Sequence, residues 1–547
     1  MSVQLEYRIL GPLIIVISSA LIAMLVDVFV KRKEWVGFTA GAGIIGALLN
    51  CFLLWGNSLA STMGVVSNTG ARSETVSSGV LTADNYALFL CLLFLSAGLM
   101  TVLMSLYWLR EQHLHHGEYY VLLMFALSGM MLMVQSLELI TIFVALETFS
   151  ISLYVLSAFA RDKERSSEAG LKYLLLGAFS SAFLLYGIAL VYGALGTTNL
   201  TDIAAKLAQV NAAGGSGAML PVGIGLILVG LAFKVAAVPF HLWTPDVYEG
   251  APTPITAFMS VATKAAAFGV MARILLGVFP TNAGLWIPLV SAMAFATMII
   301  GNLVALWQDN IKRMLAYSSI AHAGYLLIGI AARDYTGVLF YLLCYAVMNL
   351  GAFAVVAFLS GNNREFTRVD DFRGLAAKHP WAAVSMTIFM FSLTGIPPAI
   401  GYYGKFLLFG NAVRAGLTGL VIVGVLTSVV SAYYYLRVVV AMWMREEEAP
   451  VETARNAPGL VFVIALCAVL ALGLGLAPQG AVGLSERASP QPARISQVGR
   501  SSDIERAEIF RARALGYVEL PEVSLRLSPT PAMPPERSAR PEPVPTR

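Results

Sequence analysis

"GLAFKVAAVPFHLWTPDVYEGAPTP", residues 230–254, begins as the interior of an apolar helix and then takes up a lysine, a histidine, two carboxylates and four prolines. Pro239 removes a backbone donor and frees carbonyls about one turn earlier, around Val235. At membrane depth such backbone is tolerated only against protein or a water-filled cavity. The stretch therefore predicts a helix interrupted beside Lys234, with water at the interruption, and a turn over "HLWTPDVYEGAPTP" beyond it. Lys234 and His241 are seven residues apart, a spacing that would place both on one face if the helix ran on through Pro239.

The surrounding chain is 58% hydrophobic and only 12% charged, with a mean hydropathy of +0.74. An ordinary soluble domain is roughly a quarter charged. Apolar runs long enough to cross a hydrocarbon core about 30 Å thick recur along nearly the whole length. Dividing them at charged or Pro/Gly-rich breaks gives about fourteen spans, beginning near residues 9, 36, 84, 119, 138, 170, 221, 252, 286, 311, 336, 380, 417 and 458. The chain reads as an all-α polytopic membrane protein. Only Gln135–Glu138 divides the fourth span from the fifth, so a count one lower stays open. The first run, Ile9–Val30, has full spanning length and is followed by "KRKE" instead of a cleavage site, so it reads as a retained helix.

Charge is distributed by side. Fifteen basic residues, from Lys31 to Arg455, fall in odd-numbered loops, against Arg72, Lys206, Arg333 and Arg414 in even-numbered ones. Under the positive-inside rule the odd loops are cytoplasmic and the N-terminus faces outward. Spans 4–8 and 9–13 form two five-helix blocks. Lys234 and Lys405, each beside a proline break, lie at similar distances from the starts of their blocks. An odd number of spans per block makes them inverted repeats with broken helices 7 and 12. The expected organisation is a three-helix segment (1–118), two repeats (119–277 and 278–443), a last span (444–477) and a disordered Pro/Arg-rich tail (478–547), in which a short helix near Ser502–Leu515 is conceivable.

Five charged residues stand inside the spans: Glu147, Lys172, Lys234, Lys264 and Lys405. A charge at the bilayer centre costs roughly 2.5–3.5 kcal/mol even on the lenient insertion scale, so each requires a partner or water. Lys172 is one turn into its span and could equally snorkel to the interface. Lys264, in "FMSVATKAAAFGVMAR", is too deep for that, and Glu147 is likewise mid-span. A buried structural pair is the alternative to function. Burial and mutual attraction act in opposite directions on such groups, which lets them exchange protons as a permanently charged arginine could not. His322, in "SSIAHAGYLLIG", suits either proton transfer or a satisfied core position. His113, His115 and His116 read as a solvated loop, and His379 as a structural helix-start residue.

Cys51, Cys91, Cys344 and Cys467 stand singly in apolar runs, which argues against disulfides, zinc and iron–sulfur centres. "GAGIIG", residues 41–46, fits GxGxxG but follows no strand, and close helix packing explains it. There is no P-loop, zinc motif or nucleophile elbow. The sequence offers no means of binding NADH, flavin, ATP, a metal or nucleic acid.

"FKVAAVPFHLWTPDVYEGAPTPITAFMSVATKAAAFGVMAR", "LWQDNIKRMLAYSSIAHAGYLLIG" and "SLTGIPPAIGYYGKF" resemble the subunit N family of bacterial respiratory complex I, over about residues 9–477. The sister subunits differ in reading closer to "AMEGPTPVSALIHAAT" at the seventh–eighth span junction. A twelfth-span glutamate is typical of subunit M, and a long lateral helix of subunit L. The tail departs from the family pattern. The resemblance implies that Glu147 and Lys234 are the family's fifth- and seventh-helix partners, Lys264 the central relay lysine and Lys405 the terminal one. Lys172 then matches a modulating lysine, and His241 and His322 match polar positions along a hydrated axis. It further implies proton translocation across the bacterial inner (plasma) membrane, driven by electron transfer from NADH to quinone. FMN, iron–sulfur clusters and quinone would be held by other membrane and peripheral subunits. A cation/proton antiporter and a scaffold whose charges only set helix packing are the rival readings.

Overall fold

The computed structural model describes residues 7–62, 79–212, 217–361, 365–445 and 457–490. Arg72, Arg364, Arg455 and the segment Ser502–Leu515 of the sequence reading lie outside them. Helix α1 (Tyr7–Phe29), α2 (Glu34–Thr62) and α3 (Asn85–Glu111) come first. The next block holds α4 (Glu118–Gln135), α5 (Leu139–Ser157), α6 (Glu164–Leu195), the shorter α7 (Leu200–Ala212), α8 (Met219–Val235) and α9 (Trp243–Gly250). It ends in one continuous span in which α10 (Thr253–Phe258) and α11 (Lys264–Ala272) are joined by a π-helical turn, Met259–Thr263. A second block contains α12 (Ala283–Ala305), α13 (Ile311–Ala331), α14 (Tyr335–Phe358), the single turn α15 (Leu375–Lys378), α16 (Pro380–Thr394), α17 (Ile400–Arg414) and α18 (Thr418–Met444). Then come α19 (Pro458–Leu476) and α20 (Gln479–Ala488).

Among the described residues, 12 helical stretches are long and apolar enough to cross a membrane, and α8 and α16 are shorter apolar helices. The two short ones are the seventh and twelfth of the fourteen expected spans. They are short because each stops at a break: Ala236 turns left-handed at φ 61° after α8, and Gly395 does so at φ 93° after α16. The narrow division at Gln135–Glu138 is a true helix boundary, since the Glu138 side chain accepts from the Thr141 backbone N–H and caps α5.

Three differences from the sequence reading follow from local chemistry. "HLWTPDVYEGAPTP" is not simply a turn, because Trp243–Gly250 resumes as helix α9. Pro245 occupies its first turn, where a missing N–H costs nothing. The tail reading began at Pro478, yet Gln479–Ala488 is helical and buries Ala481, Ser485 and Ala488 at four- and three-residue spacing. Finally, Lys234 precedes its break while Lys405 follows its own, on α17.

The span Thr253–Val278 and helices α13 and α14 form the centre, 89%, 94% and 94% buried, whereas α1 and α18 are 28% buried and face outward. Close packing at the second break depends on Gly401, where a Cβ would collide with the Ser392 carbonyl oxygen and the Met348 sulfur. Gly401→Ala is expected to destabilise the chain by about 1–3 kcal/mol through overpacking, read as a lower melting temperature of the detergent-solubilised protein.

Candidate functional site

Two of the three deep lysines sit beside helix breaks, but they use them differently. At the first break, the Phe233 carbonyl accepts from the Ala236 backbone N–H and, at 3.0 Å, from the Trp243 indole N–H. This leaves the Lys234 ammonium to donate to Ser150 Oγ at 2.7 Å. It lies 5.3–5.8 Å from the ring centroids of Phe149, Tyr154, Tyr173 and Phe233. Four π faces around one buried ammonium supply electrostatic stabilisation without a counter-charge. At the second break, Lys405 itself bonds the freed carbonyls of Leu393 and Thr394 at 3.0 and 2.8 Å, and Ser428 Oγ at 2.7 Å. Its ammonium stands 5.0 Å from the Tyr325 ring.

Lys264 follows the π turn and donates to the Ser319 backbone carbonyl on α13. One turn further along α13, His322 joins two tyrosines: Nδ1 is 2.7 Å from Tyr341 Oη and Nε2 is 3.2 Å from Tyr435 Oη. Tyr435 in turn bonds Ser318. The α13 helix thus presents groups toward both Lys264 and the Lys405 end, with His322 between.

Glu147 accepts a hydrogen bond from Ser181 Oγ on α6. Among the described residues no ion pair within 4 Å joins it to Lys234. Ser150, one turn beyond Glu147 on α5, is the group that touches Lys234. Among the described residues, Lys234, Lys264 and Lys405 are all buried and none forms an ion pair.

Among the described residues, no hydrogen bond or ion pair joins Lys172 or His241 to Glu147, Lys234, Lys264, Lys405 or His322. Lys172 pairs with Glu168 and Asp246, both at 2.6 Å. Asp246 also binds Arg313 at 2.6 Å, and Glu249 binds Arg165 and Arg313 at 2.8 and 3.1 Å. This network holds the half-helix α9 to α6 and α13. His241 is buried, with Nδ1 lacking a hydrogen-bond partner among the described residues.

Sequence reasoning missed a buried charge cluster at the same end of the bundle. Lys312, 1% exposed, donates to the Ala251 carbonyl at 2.7 Å and to Glu365 at 3.2 Å. Glu365 also accepts from Thr253 Oγ1 at 2.9 Å and pairs with Lys163 at 3.5 Å. Burial pushes the Glu365 carboxyl up, but Lys312 and Lys163 outweigh it and hold the group below its usual range. In the sequence Lys312 and Lys163 are only two of the fifteen basic loop residues, and no local pattern marks Glu365. A second missed pair, Arg273 with Asp84, is bidentate with both bonds at 2.9 Å. An arginine nine residues beyond Lys264 in the same apolar run was its available signal.

A family model described as "NADH:quinone oxidoreductase/Mrp antiporter, TM" matches residues 136–431. NADH-quinone oxidoreductase subunit N of Trichlorobacter lovleyi is 47% identical over 449 residues, covering 81% of this chain and 89% of that protein. Subunit N of Chloroflexus aggregans is 43% identical over 489 residues, covering 88% and 97%. A chain of respiratory complex I from Thermus thermophilus, solved with bound aureothin, superposes with a TM-score of 0.71 at 35% identity and covers 86% of this chain and 98% of that one. The chain belongs to the NADH-quinone oxidoreductase subunit N family.

Proposed function

We propose that this chain moves protons across the bacterial plasma membrane as an antiporter-like subunit of an NADH-quinone oxidoreductase. The observation that carries the reading is the set of three buried lysines, joined to hydroxyls, carbonyls and aromatic faces but not to carboxylates. A fixed structural charge would be expected to have a buried counter-ion. An ammonium held by hydroxyls, carbonyls and π faces, with no carboxylate in contact, can lose its proton without breaking an ion pair.

In this mechanism redox chemistry in neighbouring subunits alters the field at Glu147. Lys234 keeps its proton while the carboxylate stabilises it and releases it when that stabilisation weakens. The proton passes by way of Lys264, with His322 and its tyrosines alongside, toward Lys405. Moving one charge against 100 mV costs about 2.3 kcal/mol, and a hundredfold change in proton affinity is worth about 2.7 kcal/mol. Lys172 and His241 act in support, the first by setting the charge on α9. The partners are the other membrane and peripheral subunits, which hold NADH, FMN, iron–sulfur clusters and quinone. The N-terminus lies outside the cytoplasm, in keeping with the basic odd-numbered loops.

Purification of the tagged chain from native membranes is expected to bring down flavin- and iron–sulfur-containing subunits with NADH–quinone activity. Recovery of a complex without redox subunits, exchanging sodium or potassium for protons in vesicles, would assign the chain to the antiporters instead.

A further inference from the structure

The mechanism above leaves unassigned how a proton reaches Lys264 from the basic end of the bundle. Glu365 lies in the basic eleventh loop, where the α9–α10 junction, the start of α13 and the connection ahead of α6 meet. Its carboxylate is the acceptor for Thr253 Oγ1 at 2.9 Å, and Thr253 opens the span that contains Lys264. Along that span Thr256, Ser260 and Lys264 follow at four-residue spacing. Residues so spaced share a face of an α-helix, and the π turn at Met259–Thr263 lies within the stripe. From Thr253 to Lys264 is eleven residues, or about 16 Å at helical rise.

A second set of polar atoms flanks the stripe. The Tyr248 carbonyl accepts from Thr256 Oγ1 at 2.9 Å, and the Tyr345 ring lies 5.2 Å from that of His322. Ser319 is the residue whose carbonyl binds Lys264. Asn349 donates to Ser260 at 2.5 Å. Yet Tyr248 Oη, Ser319 Oγ, Tyr345 Oη and Asn349 Oδ1 are buried without a hydrogen-bond partner among the described residues. Buried polar atoms are almost always satisfied, and one water can serve two to four such groups. Beside Ser260 and Lys264 these atoms offer partners to bridging water, which a simple ion-pair cluster would not need.

We infer that Glu365 is the proton-uptake residue for Lys264, with Lys312 and Thr253 as the groups that position it. This rests on the proton-translocating reading above. Lys163, partly exposed, marks the solvent edge of the cluster; Lys312 and Lys163 keep the carboxylate ionised between transfers, so that it is protonated only in passing. The step moves one proton and no electrons. An O–H bond formed at Glu365 breaks, hydroxyls and water between exchange O–H bonds, and an N–H bond forms at the neutral Lys264 amine.

The test measures NADH-driven proton uptake by inverted membrane vesicles carrying the assembled complex, normalised to complex content on native gels. Glu365→Gln is expected to lower uptake at least about threefold, with Glu365→Asp recovering most of it. The double variant Glu365→Gln/Lys312→Met removes both buried charges, so a merely structural pair would be relieved. Uptake is expected to stay low in it. Parental uptake in the double variant, with Lys264→Met still inactive, would overturn the uptake role and leave the relay standing. Parental uptake in Lys264→Met as well would overturn the relay itself.

Discussion

Lys234→Met is expected to lower NADH-driven proton pumping by about tenfold or more, the order seen when a positioned proton-transfer group is lost. The complex should still assemble. Methionine is flexible and apolar, and the site is lined by the rings of Phe149, Tyr154, Tyr173 and Phe233. The substitution therefore keeps most of the packing and leaves Ser150, which still donates to the Leu146 carbonyl at 2.5 Å, without an unsatisfied donor. Only the removable proton disappears. Pumping is read from proton uptake in inverted vesicles and assembly from native gels. Unchanged pumping in an assembled variant would mean that Lys234 only sets helix packing.

Asp84→Asn is expected to destabilise the chain by about 3–5 kcal/mol, the cost of removing one partner of a buried ion pair. The two side chains are 12% and 22% exposed, for Arg273 and Asp84 respectively. Arg273 Nε has no hydrogen-bond partner among the described residues, so the guanidinium relies on the two Asp84 bonds and the Tyr86 ring at 5.1 Å. Asparagine also caps helices well, so the bond from the Ala87 backbone N–H to this side chain, 2.8 Å in the parent, survives the change. The loss then reports the ion pair alone. Adding Arg273→Met should return much of the stability, because no charge remains stranded. Melting temperatures of the solubilised protein decide the matter: equal values for the parent and Asp84→Asn would exclude a stabilising pair.

The helix breaks were legible because proline and glycine act on their own backbone. Pro239 and the run from Gly395 to Gly404 mark them whatever the neighbours are. Glu147, Lys264 and Lys405 were legible because an ionisable residue in an apolar run is costly wherever the run ends up. Which groups those residues touch was not. Ser150 is an ordinary helix serine until α8 brings Lys234 against it, and Glu365 is one loop acid among several until Lys312 is buried beside it.

Lys172 shows the limit from the other side. Its depth left a snorkelling lysine and a functional one equally open, and the fold ties it to Asp246 on a half-helix that the sequence presented as a turn. By itself, then, the sequence determined the membrane class, the number of spans to within one and the places where charge enters the interior, since these depend on hydropathy and local backbone chemistry. The pairing of hydroxyls and carbonyls with each buried lysine was decided only by tertiary structure, because those partners lie 11 to 84 residues away along the chain and meet only when the bundle closes.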